Sequence, residues 1–577
     1  MIRVSELTLS VGADVAPLRE MAARRLRIRT SEILSFEILR RSLDARRGHD
    51  FVYSYSVAVG VADEKGVLSR AKSGKDVDRI GDAPVWMRST QKKPAYPPVV
   101  AGFGPAGMFT ALALARAGLC PIVLERGRPV EERAQDVARF FRTRVFEPES
   151  NVQFGEGGAG TFSDGKLSSQ IKDKDGSARQ VLREFVRFGA PEEILYDAKP
   201  HVGTDRLQQV VRSLREEVLS LGGQILYSTK LTGLRPSDAV SINSSDAAST
   251  HLAGSSDPVT VLAQTADGST REIKADAVFL AIGHSARDTV RQLYDSGMKM
   301  EAKAFAVGFR IEHSQEWVNL RQYREHAGDP ALGAASYKLT WHDAESGRGV
   351  YSFCMCPGGQ VIAAASEQGG LVTNGMSEYA RAGVNANAAL LVTVTPEDYG
   401  PGTLAGIDFQ RKIERAAYEL GGSGWKAPVQ TVGDYLADLR LRVPVKAGQF
   451  SSAGQFSSAG PSLRTNRFPD VVPTFPCGVQ EAHLREILPD AMAMPLGRGI
   501  LGMNEKMDGF AAGGAILTGV ESRSSSPVRI VRDENGVSSV PGVYPVGEGA
   551  GYAGGILSAA VDGLRAARKY LGTLQND

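Results

Sequence analysis

Gly102-Phe103-Gly104-Pro105-Ala106-Gly107 follows an apolar run, Val99 to Ala101, and opens an alanine-rich stretch. A second apolar run, Pro121 to Leu124, then ends in Glu125 and Arg126. This is G-x-G-x-x-G inside a strand–helix–strand unit of about thirty residues with an acid at the tip of the second strand, the pattern that binds a dinucleotide. Gly102 permits the tight turn, Gly104 lets backbone approach a pyrophosphate, and Gly107 lets the helix pack closely. Pro105 and Ala106 begin that helix, whose free N–H groups and partial positive charge face phosphate. Glu125 can accept both hydroxyls of an adenosine ribose.

Two more segments specify the dinucleotide. Near the C-terminus, Val543 to Val546 leads into Gly547-Glu548-Gly549 and then Gly554-Gly555-Ile556. The carboxylate of Glu548 can accept a ribityl hydroxyl. The helix start at Gly554 to Ile556 can face the flavin edge where negative charge develops on reduction. The second segment runs from Phe154 to Lys166 and contains Gly157, Gly158, Ala159, Gly160, Thr161, Ser163 and Asp164. Its glycines would let amides reach a pyrophosphate and a flavin ring. With Leu231 and Gly283 from later strands, these residues form the expected FAD set. The second strand–G-x-G-x-x-G–helix of a resident nicotinamide is missing, because Phe510 to Gly514 lacks a preceding apolar strand and a following acid. NAD(P)H is therefore expected as a reductant that docks transiently.

The catalytic candidates are Lys166, Arg310 and Cys356. A lysine closing the flavin loop would stabilise a reduced ring. Cys354-Met355-Cys356 puts two thiols on one face of an extended strand, either as a redox-active pair or as buried thiols lining a pocket. Arg310 and His313 sit on an expected strand of the substrate domain, either as substrate contacts or as members of surface or structural ion pairs. Arg523 can clamp a carboxylate or serve a structural ion pair. His284 follows Val278 to Gly283, where it meets either a pyrophosphate or second-layer packing. The eight histidines and four cysteines show no metal-ligand spacing, so no metal is expected.

The elements that must hold these residues divide the 577-residue chain into four stretches. Residues 1–92 read as a small α/β domain, with strands at Ile2–Leu9 and Phe51–Val61 and helical segments at Val15–Leu26 and Ser31–Leu43. Residues 95–300 read as the first part of an FAD-binding domain. Helices are expected around Ala178–Phe188 and Thr204–Leu221, and strands at Gln224–Tyr227, Val259–Gln264 and Ala277–Ile282. Residues 301–535 read as an inserted α+β substrate domain, and 536–577 as the closing strand and helix. The fold class is thus α/β, with a discontinuous Rossmann-like domain. Ser237–Pro258 and the tandem repeat 448–459 read as insertions without chemistry. Nine arginines between Arg19 and Arg47 form either a surface for RNA or an acidic partner, or a solvated face balanced by Glu20, Glu32, Glu37 and Asp44.

A net charge of +2 gives no global reason to expect nucleic acid as partner. No secretory leader or membrane-spanning run is visible, and four cysteines suit a reducing compartment, so a cytoplasmic enzyme is expected. Two other classes stay open: a flavoprotein recruited to RNA or protein by its N-terminal unit, and a flavin-binding sensor without turnover.

The order of these segments resembles the two-dinucleotide-fold flavoproteins of the glutathione-reductase superfamily, and Gly157 to Thr161 sits where fumarate-reductase types carry a Gly-Gly loop. Phe154 to Leu167 more closely resembles a hallmark of a bacterial and plastid family known as uncharacterised FAD-dependent dehydrogenases. Lys199 to Asp205, Cys354 to Gly359, Val372 to Ser377 and Gly547 to Ile556 are similar to it too. The resemblance covers nearly the whole chain. It implies the fold and an FAD cofactor and leaves the reaction and substrate unnamed; the expected function is a soluble FAD-dependent oxidoreductase that transfers hydride between flavin N5 and a small organic substrate.

Overall fold

The computed structural model describes all residues except 47–49, 72–75, 82–91, 169–170, 172, 236–257, 444–470 and 577. The insertion at 237–258 falls almost wholly, and the repeat at 448–459 wholly, outside the described residues.

The N-terminal part is a four-stranded antiparallel sheet in the order Ser35–Asp44, Val52–Gly60, Ile2–Ser10, Val77–Arg79. Helices Pro17–Leu26 and Glu64–Ala71 complete a β-α-β-β-α-β, ferredoxin-like arrangement. The helix expected at Ser31–Leu43 is wrong: after a short turn at Thr30–Glu32 this stretch is the strand Ser35–Asp44. Its pairing with Val52–Gly60 steps between Ile38 and Arg40, leaving Leu39 as an extra residue. That bulge spaces the apolar residues Phe36, Leu39 and Leu43 three and four apart, which imitates a helix. The arginines of this region are mostly held within the chain. Arg24 pairs with Glu20, Arg25 with Asp76, Arg46 with Asp44, and Arg41 forks onto Asp197 at 2.7 and 3.0 Å.

The dinucleotide motif lies in a five-stranded parallel sheet ordered Val543–Pro545, Val278–Leu280, Val99–Ala101, Ile122–Leu124, Gln224–Leu226. One edge strand comes from the far end of the chain, so the layer is discontinuous. Helix Pro105–Arg116 is buried from Ala106 through Ala115 and packs on helix Ile556–Asn576. Small residues permit this: a Cβ at Gly563 would lie 2.1 Å from the Ala106 carbonyl oxygen. A three-stranded antiparallel sheet, Thr229–Arg235, Val259–Thr265 and Thr270–Ala275, joins this layer.

Between these halves stands a seven-stranded mixed sheet. Its order is Thr340–His342, Gly349–Cys356, Asn385–Val394, Phe305–Ser314, Ile516–Glu521, Ala427–Thr431, Val479–Glu481. Only the last pair is parallel. Phe305–Ser314 and Asn385–Val394 are buried along almost their whole length, and helix Asp490–Lys506 covers the neighbouring strands. No helix among the described residues is long and apolar enough to cross a membrane.

Candidate flavin site and the thiol cluster beside it

The first turn has the shape the glycines require. Gly102 sits at φ +98°, where an added Cβ would lie 2.3 Å from the Ala281 carbonyl oxygen. A Cβ at Gly107 would come within 1.9 Å of the Gly102 carbonyl oxygen. Glu125, at the end of its strand, accepts the N–H of Phe103 at 2.8 Å and of Gly127 at 2.9 Å. Each oxygen keeps capacity for a further donor, as a ribose clamp needs. Arg126 is occupied elsewhere: it pairs with Glu149 and Asp288 and lies 3.8 Å over the Phe154 ring. Leu231 is buried, and its carbonyl accepts from Thr289 at 3.1 Å.

The glycine loop folds onto this turn. Gly157 donates to the Phe103 carbonyl at 2.9 Å, and an added Cβ at Gly104 would lie 3.6 Å from the Gly158 Cα. Ala159–Phe162 then makes one tight turn, braced by the Ser163 hydroxyl on the Gly160 carbonyl at 2.7 Å. A Cβ on Gly160 would meet the Ile556 side chain at 2.8 Å, so the loop touches the start of the closing helix. Gly549 packs on Gly283, where its Cβ would be 2.4 Å from that carbonyl oxygen. The two chain ends and the loop therefore converge.

What these pieces enclose fits FAD. Gly283, Gly554 and Gly555 have nothing within 4 Å of an added Cβ, so their backbone borders open space. Glu548 has one weak donor, the Gly555 N–H at 3.4 Å, with His284 at 3.9 Å. Burial pushes the Glu548 carboxyl up to about 7 and pulls His284 down to about 3. A part-buried carboxylate short of donors on its open side is what a ribityl hydroxyl would complete. Gly102, Gly104, Gly107, Glu125, Gly157 to Thr161, Gly283 and Gly547 to Ile556 are the expected residues that these contacts bring together.

The three catalytic candidates meet. Lys166 Nζ lies 3.9 Å from Cys356 Sγ, and Arg310 Nη2 lies 3.7 Å from the same sulfur. Lys166 also pairs with Asp164 at 2.8 Å, and Arg381 forks onto Asp164 at 3.0 and 2.5 Å. Although burial works against it, the charges of Lys166 and Arg381 hold Asp164 down to about 2. Arg310, fully buried, donates to Asn387 Oδ1, to the Cys354 carbonyl at 3.0 Å and loosely to Glu521. Burial lifts Glu521 to about 7. Gly375 makes room for Arg310, since its Cβ would lie 1.9 Å from Nη2. Asn387 Nδ2 and Tyr337 Oη are buried and unpartnered.

Across 570 residues, 98% of each chain, the sequence is 44% identical to an uncharacterized protein of Clostridium beijerinckii. The chain belongs to that protein's family. Residues 304–524 match the model described as FAD-dependent protein, C-terminal domain-like, and residues 1–60 match a domain of unknown function. The middle of the chain is thus a domain of FAD-dependent protein type. Among solved structures the chain is similar to a geranylgeranyl bacteriochlorophyll reductase-like protein of Thermoplasma acidophilum. That match has 12% identity over 84% of this chain and 80% of that one, with a TM-score of 0.33. A flavoprotein/dehydrogenase of Cytophaga hutchinsonii matches at 11% identity over 56% and 62%, TM-score 0.24. Aklavinone-11 hydroxylase, solved with FAD and aklavinone, matches at 14% over 55% and 49%, also 0.24. Scores this low carry no residue roles over to this chain.

The glycine loop of this chain has a scaffold that motif reading misses. Arg133, fully buried, donates to five carbonyls of the glycine loop: Asn151, Val152, Gly155, Glu156 and Gly158. Burial pulls its guanidinium down to about 10. Arg381 and Ser377, which hold Asp164, were missed too, because they are more than two hundred residues away in sequence. Arg523 is no free clamp: it forks onto Glu414 and reaches Ser285 and Ser366. His313 hydrogen-bonds the Phe510 carbonyl at 2.9 Å and stacks on Trp317, a packing role.

Proposed function

We propose that this protein is an FAD-dependent oxidoreductase acting on a small organic substrate, with NAD(P)H as a reductant that docks and leaves. The observation that carries the reading is the convergence of three separated segments, Gly102–Gly107, Gly157–Gly160 and Gly547–Ile556, around one glycine-lined space. When bound there, FAD supplies hydride transfer at its ring. Glu125 would hold the ribose, the helix starts at Pro105 and Ile556 would face anionic groups, and Glu548 would take a ribityl hydroxyl. Lys166 and Arg310 put two cations where the glycine loop meets the seven-stranded sheet, suited to a substrate that is anionic or becomes so.

Purified protein should be yellow and release one FAD per chain on acid treatment. Gly104→Val and Glu548→Ala should yield folded protein with little flavin. Stopped-flow reduction by NADH or NADPH, then reoxidation by a quinone, enone or fumarate-like acceptor, tests turnover. Protein that stays colourless after reconstitution with FAD overturns the reading.

A further inference from the structure

Cys354 and Cys356 lie at the end of strand Gly349–Cys356, where pairing with Asn385–Val394 slips between Phe353 and Cys356. The slip takes Cys354 and Met355 out of the ladder. Cys354 has φ +41°, a conformation that L residues rarely adopt and that clusters at functional sites. Cys356 Sγ lies 3.3 Å from the Cys354 carbonyl oxygen, so its thiol turns back toward Cys354. Residues two apart in a chain are at most about 7 Å apart at Cα, and a kink between them shortens that span toward the separation a disulfide accepts. Cys354 is half-buried and Cys356 fully buried, so one sulfur can be reached and the other only from within. Lys166 and Arg310 come within 4 Å of the buried sulfur from two different elements. Asp164, Glu521, Arg381 and Tyr337 surround them.

We infer that Cys354 and Cys356 form a redox-active dithiol that exchanges with disulfides of low-molecular-weight thiols. The Cys354 thiolate attacks one sulfur of the small disulfide. An S–S bond forms to Cys354, and the first small thiolate leaves. The sulfur of Cys356 then attacks Cys354 Sγ, forming the internal disulfide, and its proton goes to a departing thiolate. The protein pair loses two electrons, and the small disulfide gains them as one thiol and one thiolate. Lys166 and Arg310, both within 4 Å of Cys356 Sγ, stabilise that sulfur as it gives up its proton in the second attack. Hydrogen bonding from the Cys356 thiol and the charges of Lys166 and Arg310 lower Cys354 despite its burial, which favours the thiolate there, while the same thiol pairing and burial raise Cys356. This exchange does not require the cofactor reading, since the small disulfide is the oxidant.

The test is full-length protein equilibrated in glutathione redox buffers, then acid-quenched, alkylated and analysed by peptide mass spectrometry, with flavin content read on the same samples. A Cys354–Cys356 disulfide should appear as oxidised glutathione rises and vanish with dithiothreitol. Cys356→Ser should stop at a glutathione adduct on Cys354, and Cys354→Ser should give no adduct on Cys356. Lys166→Met, folded by circular dichroism, should slow Cys354 alkylation at pH 7 on the order of tenfold. Both thiols staying alkylatable across the buffer series, or a glutathione adduct in the wild type without the internal disulfide, overturns the inference. A disulfide that forms in colourless protein upholds it while the cofactor reading fails.

Discussion

Arg133 shows how much one side chain can fix. Its guanidinium satisfies five loop carbonyls that would otherwise be buried without donors. Arg133→Met should cost about 3–5 kcal/mol in denaturant unfolding and strip the flavin, whereas Arg133→Lys, with one point charge for a fork, should recover little. Glu521 gives a pH signature. Its folded-state value, about 7, lies above the ordinary 4.5, so the stability it allows is fully present below pH 4.5 and is lost as pH rises through 7. Wild type should therefore lose up to ~3 kcal/mol across that window relative to Glu521→Gln, measured by urea unfolding at each pH. An unchanged difference between the two proteins would contradict this.

Helix-to-helix contact at the cofactor layer depends on absent side chains. Gly563 lets helix Ile556–Asn576 press onto helix Pro105–Arg116, and its Cβ would strike backbone at 2.1 Å. Gly563→Ala should cost about 1–3 kcal/mol and weaken flavin retention, since both helix starts shift together. Thermal unfolding and the fraction of FAD surviving gel filtration measure both. The docking of the N-terminal sheet is a weaker matter. Arg41 exchanges backbone hydrogen bonds with the Tyr196–Ala198 segment and forks onto Asp197. The pair is about a quarter exposed, so Arg41→Ala should cost only ~1 kcal/mol. Hydrogen exchange at Ala198 should quicken while flavin content holds. The bulge at Leu39 in the same strand explains why spacing alone pointed to a helix there: periodicity reports a face only where the ladder is regular.

On the scale of the whole molecule, an ion cluster ties the nucleotide layer to the inserted sheet. Arg287 and Arg523 both fork onto Glu414, all three essentially buried, with Glu367 and Gln410 completing the set. Removing Glu414 takes the shared carboxylate from two buried arginines and leaves Arg287 only the Glu367 carboxylate. Glu414→Ala should therefore destabilise by about 3–5 kcal/mol and split the unfolding transition in calorimetry. Burial opposes ionisation of Glu414, but the two arginines hold it far below the carboxylate range. Its contribution is thus present above pH 4.5 and lost as pH falls further, so acid should part the layers first.

The turn and loops of the candidate cofactor site were largely legible in the chain, because a dinucleotide loop needs glycine at positions set by backbone sterics, and those positions are local. Gly102, Gly104, Gly107 and Glu125 are read within one short unit. The parallel strands, the discontinuous layer and the closing helix follow from apolar runs of matching period. Only the folded chain decided which distant charges meet. Arg310 and Lys166 come to one thiol, Arg381 to Asp164, and Arg523 to Glu414, across separations that no periodicity encodes. Local sequence sets what a backbone can do. Which buried ions find partners depends on tertiary packing, where desolvation makes an unmatched charge too costly to keep.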